Sequence, residues 1–309
     1  MFDIATNILP IFLLIILGNF LKRSGLIGEG FWRPAEKLTY YILLPALIIR
    51  SITQADLTNI PIGAMTLVIL LLGTSMIMLA LFIKPLLRID NPGYSSVLQG
   101  ATRINAYICF AIGDALYGSE SVALCAYFLA VMMPFINTTL TPLISGFSSS
   151  GKADWSRVSL QIIQNPIIIS CAVGWIINTL AFQIPTWSIT FLSILDQGTL
   201  PIALLCIGAG LVVTLDRSRL LAIGTAIILK LFFMPAISIA LCIQFGIFGL
   251  PMAIIVLFGG APASPASYIL ARQMGGDAPL MAAILSAQTI IAALTLPIVL
   301  FYITPFVNQ

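Results

Sequence analysis

Long apolar runs, cut at intervals by short polar segments, make up nearly the whole chain. A helix crossing the roughly 30 Å hydrocarbon core of a bilayer needs about 20 mostly apolar residues, each rising about 1.5 Å. Ten runs meet that need, near 4–22, 34–54, 60–83, 93–117, 119–145, 158–180, 187–213, 219–245, 249–274 and 278–303. The pattern predicts an all-α membrane protein with ten transmembrane helices. Composition agrees: 60% of residues are hydrophobic, 8% are charged and mean hydropathy is +1.08, whereas soluble domains carry about a quarter charged residues.

Charge adds orientation. Lys22, Arg23, Arg33 and Lys37 lie around the first connection, Lys84 and Arg88 in the third, Lys152 and Arg157 in the fifth, Arg217 and Arg219 in the seventh and Arg272 in the ninth, so these alternate loops hold eleven of the fourteen Lys and Arg residues. Basic residues favour cytoplasmic loops, which predicts a multi-pass protein of the inner (plasma) membrane with both termini on the non-cytoplasmic side. Asp3 before the first run and Lys22 and Arg23 after it, with no small-residue cleavage motif, argue against a secretory signal. Asp114 and Glu120 fall at the outer ends of the fourth and fifth spans. A net charge of +3 without a basic stripe argues against a nucleic-acid partner. Cys109, Cys125, Cys171, Cys206 and Cys242 stand singly in apolar runs and read as small packing residues, and no metal site or cofactor is implied.

The chain repeats weakly. Pro10 and Gly18 recur as Pro166 and Gly174, 156 residues on, and Pro45 and Pro201 share that offset within LLPALII and TLPIALL. Each half holds five spans, and an odd number forces the second half to enter the membrane inverted. The expectation is a 5+5 inverted repeat: 1–145 as the first repeat, 146–157 as a short cytoplasmic linker and 158–309 as the second repeat.

Two spans carry breaks in the centre. The ninth reads VLFGGAPASPASYILARQ: Gly259 and Gly260 are helix stops, Pro262 removes a backbone donor, and Ser264 before Pro265 is a capping hydroxyl followed by a first-turn proline. The stop lies about ten residues, or roughly 15 Å, from the outer end, near the midplane. The fourth, VLQGATRINAYICF, repeats the grammar without proline, with Gly100 as the stop and Asn105 as the cap. Non-helical backbone at that depth survives only where protein or a water-filled cavity satisfies it. Two half-helix N-termini aimed at one point supply free N–H groups and partial positive charge, which suits a carboxylate.

Three ionisable residues lie within spans. Arg103, beside the fourth-span break, reads either as the attracting charge for an anionic substrate or as a donor to the open carbonyls of the broken helix. Asp196 and Lys230 sit at mid-depth in the seventh and eighth spans. They form either a fixed ion pair or, with Asp196 free for part of a cycle, a coupling site for H+ or Na+.

The segments QNPIIISCAVGWII and GAPASPASYILARQMGGDAPLMAAILSAQTIIAALTLP, with the stretch Arg103, Asn105 and Tyr107, resemble bacterial members of the auxin efflux carrier family, of the bile/arsenite/riboflavin transporter-like group. The resemblance runs over essentially the whole chain. It implies a fold like that of bile-acid sodium symporters, with spans four and nine crossing at the substrate site. It also implies a scaffold of spans one, two, six and seven, often a homodimer, past which the rest slide as an elevator. On that basis the substrate-binding candidates are Arg103, Asn105, Tyr107, Gly259, Gly260, Ala263 and Ser264, the helix-break residues Gly100, Pro262 and Pro265, and the coupling-ion or proton candidates Asp196 and Lys230. Plant relatives carry proline in the first crossing; this chain has none there.

A secondary active transporter of small organic anions such as carboxylates is the expected function, with the lipid bilayer as its surroundings. A sodium-coupled carrier of the bile-acid-symporter kind is the alternative, and a channel or a receptor is a more distant one. An enzyme is not expected: the chain has no histidine, and Asp196 is the one aspartate placed centrally in a span. Gly146, Gly151 and Lys152 imitate a phosphate-binding loop, but Ala153 stands where Ser or Thr is needed.

Overall fold

The computed structural model describes residues 2–56, 60–147, 156, 159–160, 163–180, 182, 184–212 and 219–307. Most of the expected linker 146–157, with Gly151, Lys152, Ala153 and Arg157, lies outside the described residues, as does Arg217. Every regular element among the described residues is helical. In chain order, α1 is Phe2–Arg23, α2 Glu29–Leu38, α3 Leu44–Gln54, α4 Ile62–Leu87, α5 Asn91–Thr102, α6 Ala106–Tyr117, α7 Ser119–Phe147 and α8 Pro166–Thr179. Then come α9 Thr186–Gln197, α10 Thr199–Ala209, α11 Leu220–Ile228, α12 Met234–Gln244, α13 Gly249–Gly260, α14 Ala266–Gln273 and α15 Ala278–Val307.

Among the described residues 6 helical segments are long and apolar enough to cross a membrane: Asp3–Arg23, Ile62–Leu87, Ser119–Phe147, Thr186–Ala209, Leu220–Gln244 and Ala278–Val307. The other four expected spans fall short for visible reasons. The fourth and ninth are each split into two short helices, the sixth is represented by the 14 residues of α8, and the second carries Arg33, Glu36, Lys37 and Arg50.

Local chemistry explains the helix starts and irregularities. Asp90 accepts the Gly93 N–H at 2.9 Å and Asn165 accepts the Ile167 N–H at 2.9 Å, capping α5 and α8 ahead of Pro92 and Pro166. Widened π-turns at Thr39–Leu43 and Leu229–Phe233 join α2 to α3 and α11 to α12, each just before a proline, Pro45 and Pro235. A proline has no N–H to donate and crowds the carbonyl four residues back, and the extra width of the turn relieves both.

The closest packing joins the two halves. α1 lies on α10, and a Cβ added at Gly18 or Gly208 would collide with the Leu205 or Ile15 carbonyl oxygen. Asn19 closes this contact by donating to the Gly208 and Leu211 carbonyls at 3.0 and 3.2 Å. α3 lies on α8 in the same manner: a Cβ at Gly174 would meet Ile52 Cβ at 2.9 Å, and Asn178 donates to the Ile52 and Ala55 carbonyls at 2.9 and 3.0 Å. Gly18 and Gly174 are the residues that the repeat places 156 apart, and both are glycine because a neighbouring helix fills the space a side chain would need. Through the centre runs α13, buried on all sides from Met252 to Gly260, with Phe258 stacked on Phe128 at 4.1 Å between ring centroids.

Gly18→Val should cost about 1–3 kcal/mol, because the collision is with backbone that cannot rotate away. Gly63→Ala, which meets nothing within 4 Å, should cost none. Thermal unfolding of the detergent-solubilised protein checks both.

Candidate functional site

The two broken helices meet at their breaks. α5 ends at Thr102, Arg103 and Asn105 are extended (φ −77, ψ 154 and φ −81, ψ 98), and α6 begins at Ala106. α13 ends at Gly260, Ala261 is extended (φ −72, ψ 148), and α14 begins at Ala266. The Asn105 N–H donates to the Pro262 carbonyl at 2.8 Å, one backbone break satisfying the other. Each restart is helped by a side chain: Asn105 Oδ1 accepts the Ile108 N–H at 3.4 Å and Ser264 Oγ accepts the Ala266 N–H at 3.3 Å.

The helix ends that stop at the breaks need donors for their open carbonyls. Gln288 of α15 supplies one, at Gly100. Its Nε2 donates to the Gly100 and Ala226 carbonyls, each at 3.0 Å, while its Oε1 accepts the Ala263 N–H at 2.9 Å. Lys230, fully buried in the π-turn before α12, reaches the last turn of α13, with Nζ 3.5 Å from the Phe258 carbonyl and 2.9 Å from the Met234 thioether. A basic group there complements the negative end of the helix dipole.

Arg103 is consequently not occupied with those carbonyls. Its guanidinium donates to Asn137 Oδ1 of α7 at 3.4 Å, and its Nε, also buried, has no hydrogen-bond partner among the described residues. It lines a cavity of about 360 Å³ together with Ala106 and Tyr107 of α6, and with Ser264, Pro265 and Ala266 where α14 starts. Thus the positive N-terminal ends of both half-helices and one guanidinium converge on the same space. Leu44, Ile104, Leu129, Met132, Met133, Ile136, Ile167 and Ile269 form the apolar wall, and the cavity extends past Tyr40 and Tyr41 to the exposed side chains of Arg33, Glu36 and Lys37 on α2.

Of the residues expected at the site, Arg103, Tyr107, Ser264 and Pro265 line this cavity. Asn105 and Ala263 lie in the crossing itself, holding it through their backbone N–H groups. Gly259 and Gly260 close α13 but face packing neighbours: a Cβ at Gly259 would lie 3.1 Å from Pro235 Cα, and one at Gly260 would lie 3.0 Å from Leu296. Gly100 is not the stop of its helix, which continues to Thr102. A Cβ there would lie 2.7 Å from Ile284 Cγ2, so glycine is present to admit α15. α14 starts at Ala266, one residue beyond Pro265.

The expected Asp196–Lys230 pair is not formed. Asp196, buried at the end of α9, is ion-paired with Arg50 of α3, and neither Asp196 nor Lys230 lines the cavity. The α3–α9 contact decides this partner, because it brings together residues 146 positions apart that the sequence places at unrelated depths. Asn137, Gln288, Glu36, Arg33 and Lys37 were not singled out from the sequence as site residues. For Asn137 and Gln288 the available signal was an amide isolated in a long apolar run, since an amide in hydrocarbon demands a partner.

Comparison with known proteins points the same way. Residues 155–300 match the family model described as "Membrane transport protein". A protein of Methanothermobacter thermautotrophicus named "Uncharacterized transporter" is 22% identical over 295 residues, an alignment that spans 94% of this chain and 96% of that protein. Together with the apolar helices, these matches support a multi-pass membrane transporter.

Gln288→Leu strands one buried N–H and two buried carbonyls, and should lower stability by at least about 3 kcal/mol in detergent unfolding. Asp196→Asn should destabilise by about 2 kcal/mol, since it leaves Arg50 unmatched, and Arg50→Met in the same chain should recover most of that loss. A double-mutant cycle read by thermal unfolding checks the pair.

Proposed function

We propose that this chain is a secondary active carrier of small organic anions, carboxylates above all, that binds its cargo at the crossing of α5/α6 with α13/α14. The observation that carries the reading is the Asn105–Pro262 hydrogen bond, which ties both breaks together beside Arg103. An anion in the cavity gains two helix N-termini and a guanidinium that forms no ion pair among the described residues. Tyr107 and Ser264 are placed to bind the rest of the cargo.

In this reading the chain crosses the membrane ten times in a 5+5 inverted repeat. The exchange of partners supports it: the first span packs on the seventh as the sixth packs on the second, each through a glycine of the repeated pair. Spans one, two, six and seven form the scaffold. The cavity runs between that scaffold, which contributes Tyr40, Tyr41, Leu44 and Ile167, and the crossing helices. Sliding along this boundary would carry the site across the membrane in an elevator-type cycle. With the basic loops cytoplasmic and both termini outside, the mouth at Arg33 and Lys37 opens inward.

Thermal stabilisation of the purified protein by acetate, malonate, succinate and benzoate tests the site. At least one should raise the unfolding midpoint. Arg103→Ala should weaken that carboxylate by about 10–100-fold, equivalent to about 1.5–3 kcal/mol, while leaving the unliganded midpoint within a few degrees of the parent. An Arg103→Ala protein that binds as the parent does would reduce Arg103 to a structural role. Saturable counterflow in proteoliposomes separates a carrier from a pore, which would conduct without saturating.

A further inference from the structure

The cavity that holds Arg103 holds a second kind of charge. Among the described residues Glu36 is the carboxylate that lines it. The other acidic side chains among the described residues do not line it. Asp196 is paired with Arg50 and Asp277 with Arg219, at 2.7 Å; Asp90 caps α5, Glu29 stands 3.9 Å from Lys22, and Asp114 and Glu120 are exposed outside the cavity.

An anion bound at Arg103 therefore shares one cavity with Glu36, whose exposed side chain stands at its mouth. Two negative charges lining one cavity repel, and a proton on one of them removes the repulsion. The groups around Glu36 set the balance. Arg33 and Lys37 flank it on α2, Tyr40 and Tyr41 follow in the π-turn, Arg103 and Tyr107 face the cavity from the crossing, and Cys206 lies on α10, which packs against α2. An arriving anion adds negative charge to the cavity and so favours a proton on the carboxylate.

Resting on the carboxylate-carrier reading above, we propose that Glu36 is the coupling-proton site: the anion binds Arg103 with Glu36 protonated, and one proton travels with it. The proton comes from water at the cavity mouth and returns to water when the anion leaves. No bond in the cargo is made or broken. Binding linkage is reciprocal, so the anion must raise the proton affinity of Glu36 by the factor by which the proton raises the affinity for the anion. This assigns coupling to a residue inside the cargo cavity rather than to Asp196, whose partner is a fixed arginine.

The test measures affinity for malonate and for benzoate by thermal-shift titration of the whole chain from about pH 6 to about pH 8.5, together with proton uptake on malonate addition in weakly buffered detergent solution. For the parent, affinity should fall by up to tenfold per pH unit across the Glu36 titration, with up to one proton taken up per anion bound. Glu36→Gln should bind with no such slope, take up no proton and bind at least about tenfold more tightly than the parent at the alkaline end. Glu36→Asp should keep a slope, and so should Asp196→Asn. Affinity that is flat with pH in the parent, or a parental slope surviving in Glu36→Gln, would overturn the assignment while leaving the Arg103 site standing. Failure of every carboxylate to stabilise the parent at any pH would instead remove the site itself, and Glu36 with it.

Discussion

A peptide group inside a bilayer has no water to turn to, and this one fact organises the molecule. Both breaks expose N–H and C=O groups, and each must find a partner within the protein. The Asn105 N–H finds Pro262 across the crossing, the Ala263 N–H finds Gln288, and the carbonyls of Gly100 and Phe258 find Gln288 and Lys230. These side chains come from the π-turn and α15, and Gln288 also donates to Ala226 of α11, so the helices around the crossing are bound to it by hydrogen bonds as well as by packing. The open helix starts at Ala106 and Ala266 are what remains turned towards the cavity.

The same demand sorts the buried charges by their partners. Two basic side chains lie near the breaks, and either was a reasonable candidate to satisfy the interrupted backbone. Lys230 takes the carbonyl end of α13 at full burial, while the Arg103 guanidinium, among the described residues, hydrogen-bonds the neutral Asn137 amide. A guanidinium whose fork is not matched by a carboxylate keeps the geometry to pair with a planar anion. Between α3 and α9 the charges are matched differently, with Arg50 and Asp196 neutralising one another.

The packing of the halves shows why small residues matter where the solvent is lipid. Helices gain little from excluding water there, so close backbone approach and interhelical hydrogen bonds carry the association. Gly18 and Gly208 let α1 and α10 touch, Gly174 lets α8 touch α3, and Asn19 and Asn178 then reach carbonyls on the opposing helix. The cavity lies beside these rigid contacts and not within them, so its two walls belong to differently packed sets of helices.

How far the sequence speaks depends on the range of the physics involved. Apolar runs, helix caps and prolines act within a few residues, so the helices, the restart at Asn105 and the break around Pro262 to Pro265 were legible directly. Gly18 and Gly174 were visible as a repeat, although the reason for glycine at each became visible only once the opposing helix was in place. The partners of the charges and amides were beyond local reading. Gln288 bonds to residues 62 and 188 positions away, Asp196 chose Arg50 over Lys230, and Gly100 proved to admit α15 instead of ending its helix. By itself the sequence determined that this chain lives in lipid, where its helices run and where two of them must break, because hydropathy and backbone chemistry are local. Only the tertiary structure decided which buried polar groups satisfy one another and which, like Arg103, are left to face the cavity, because that depends on contacts between helices far apart in the chain.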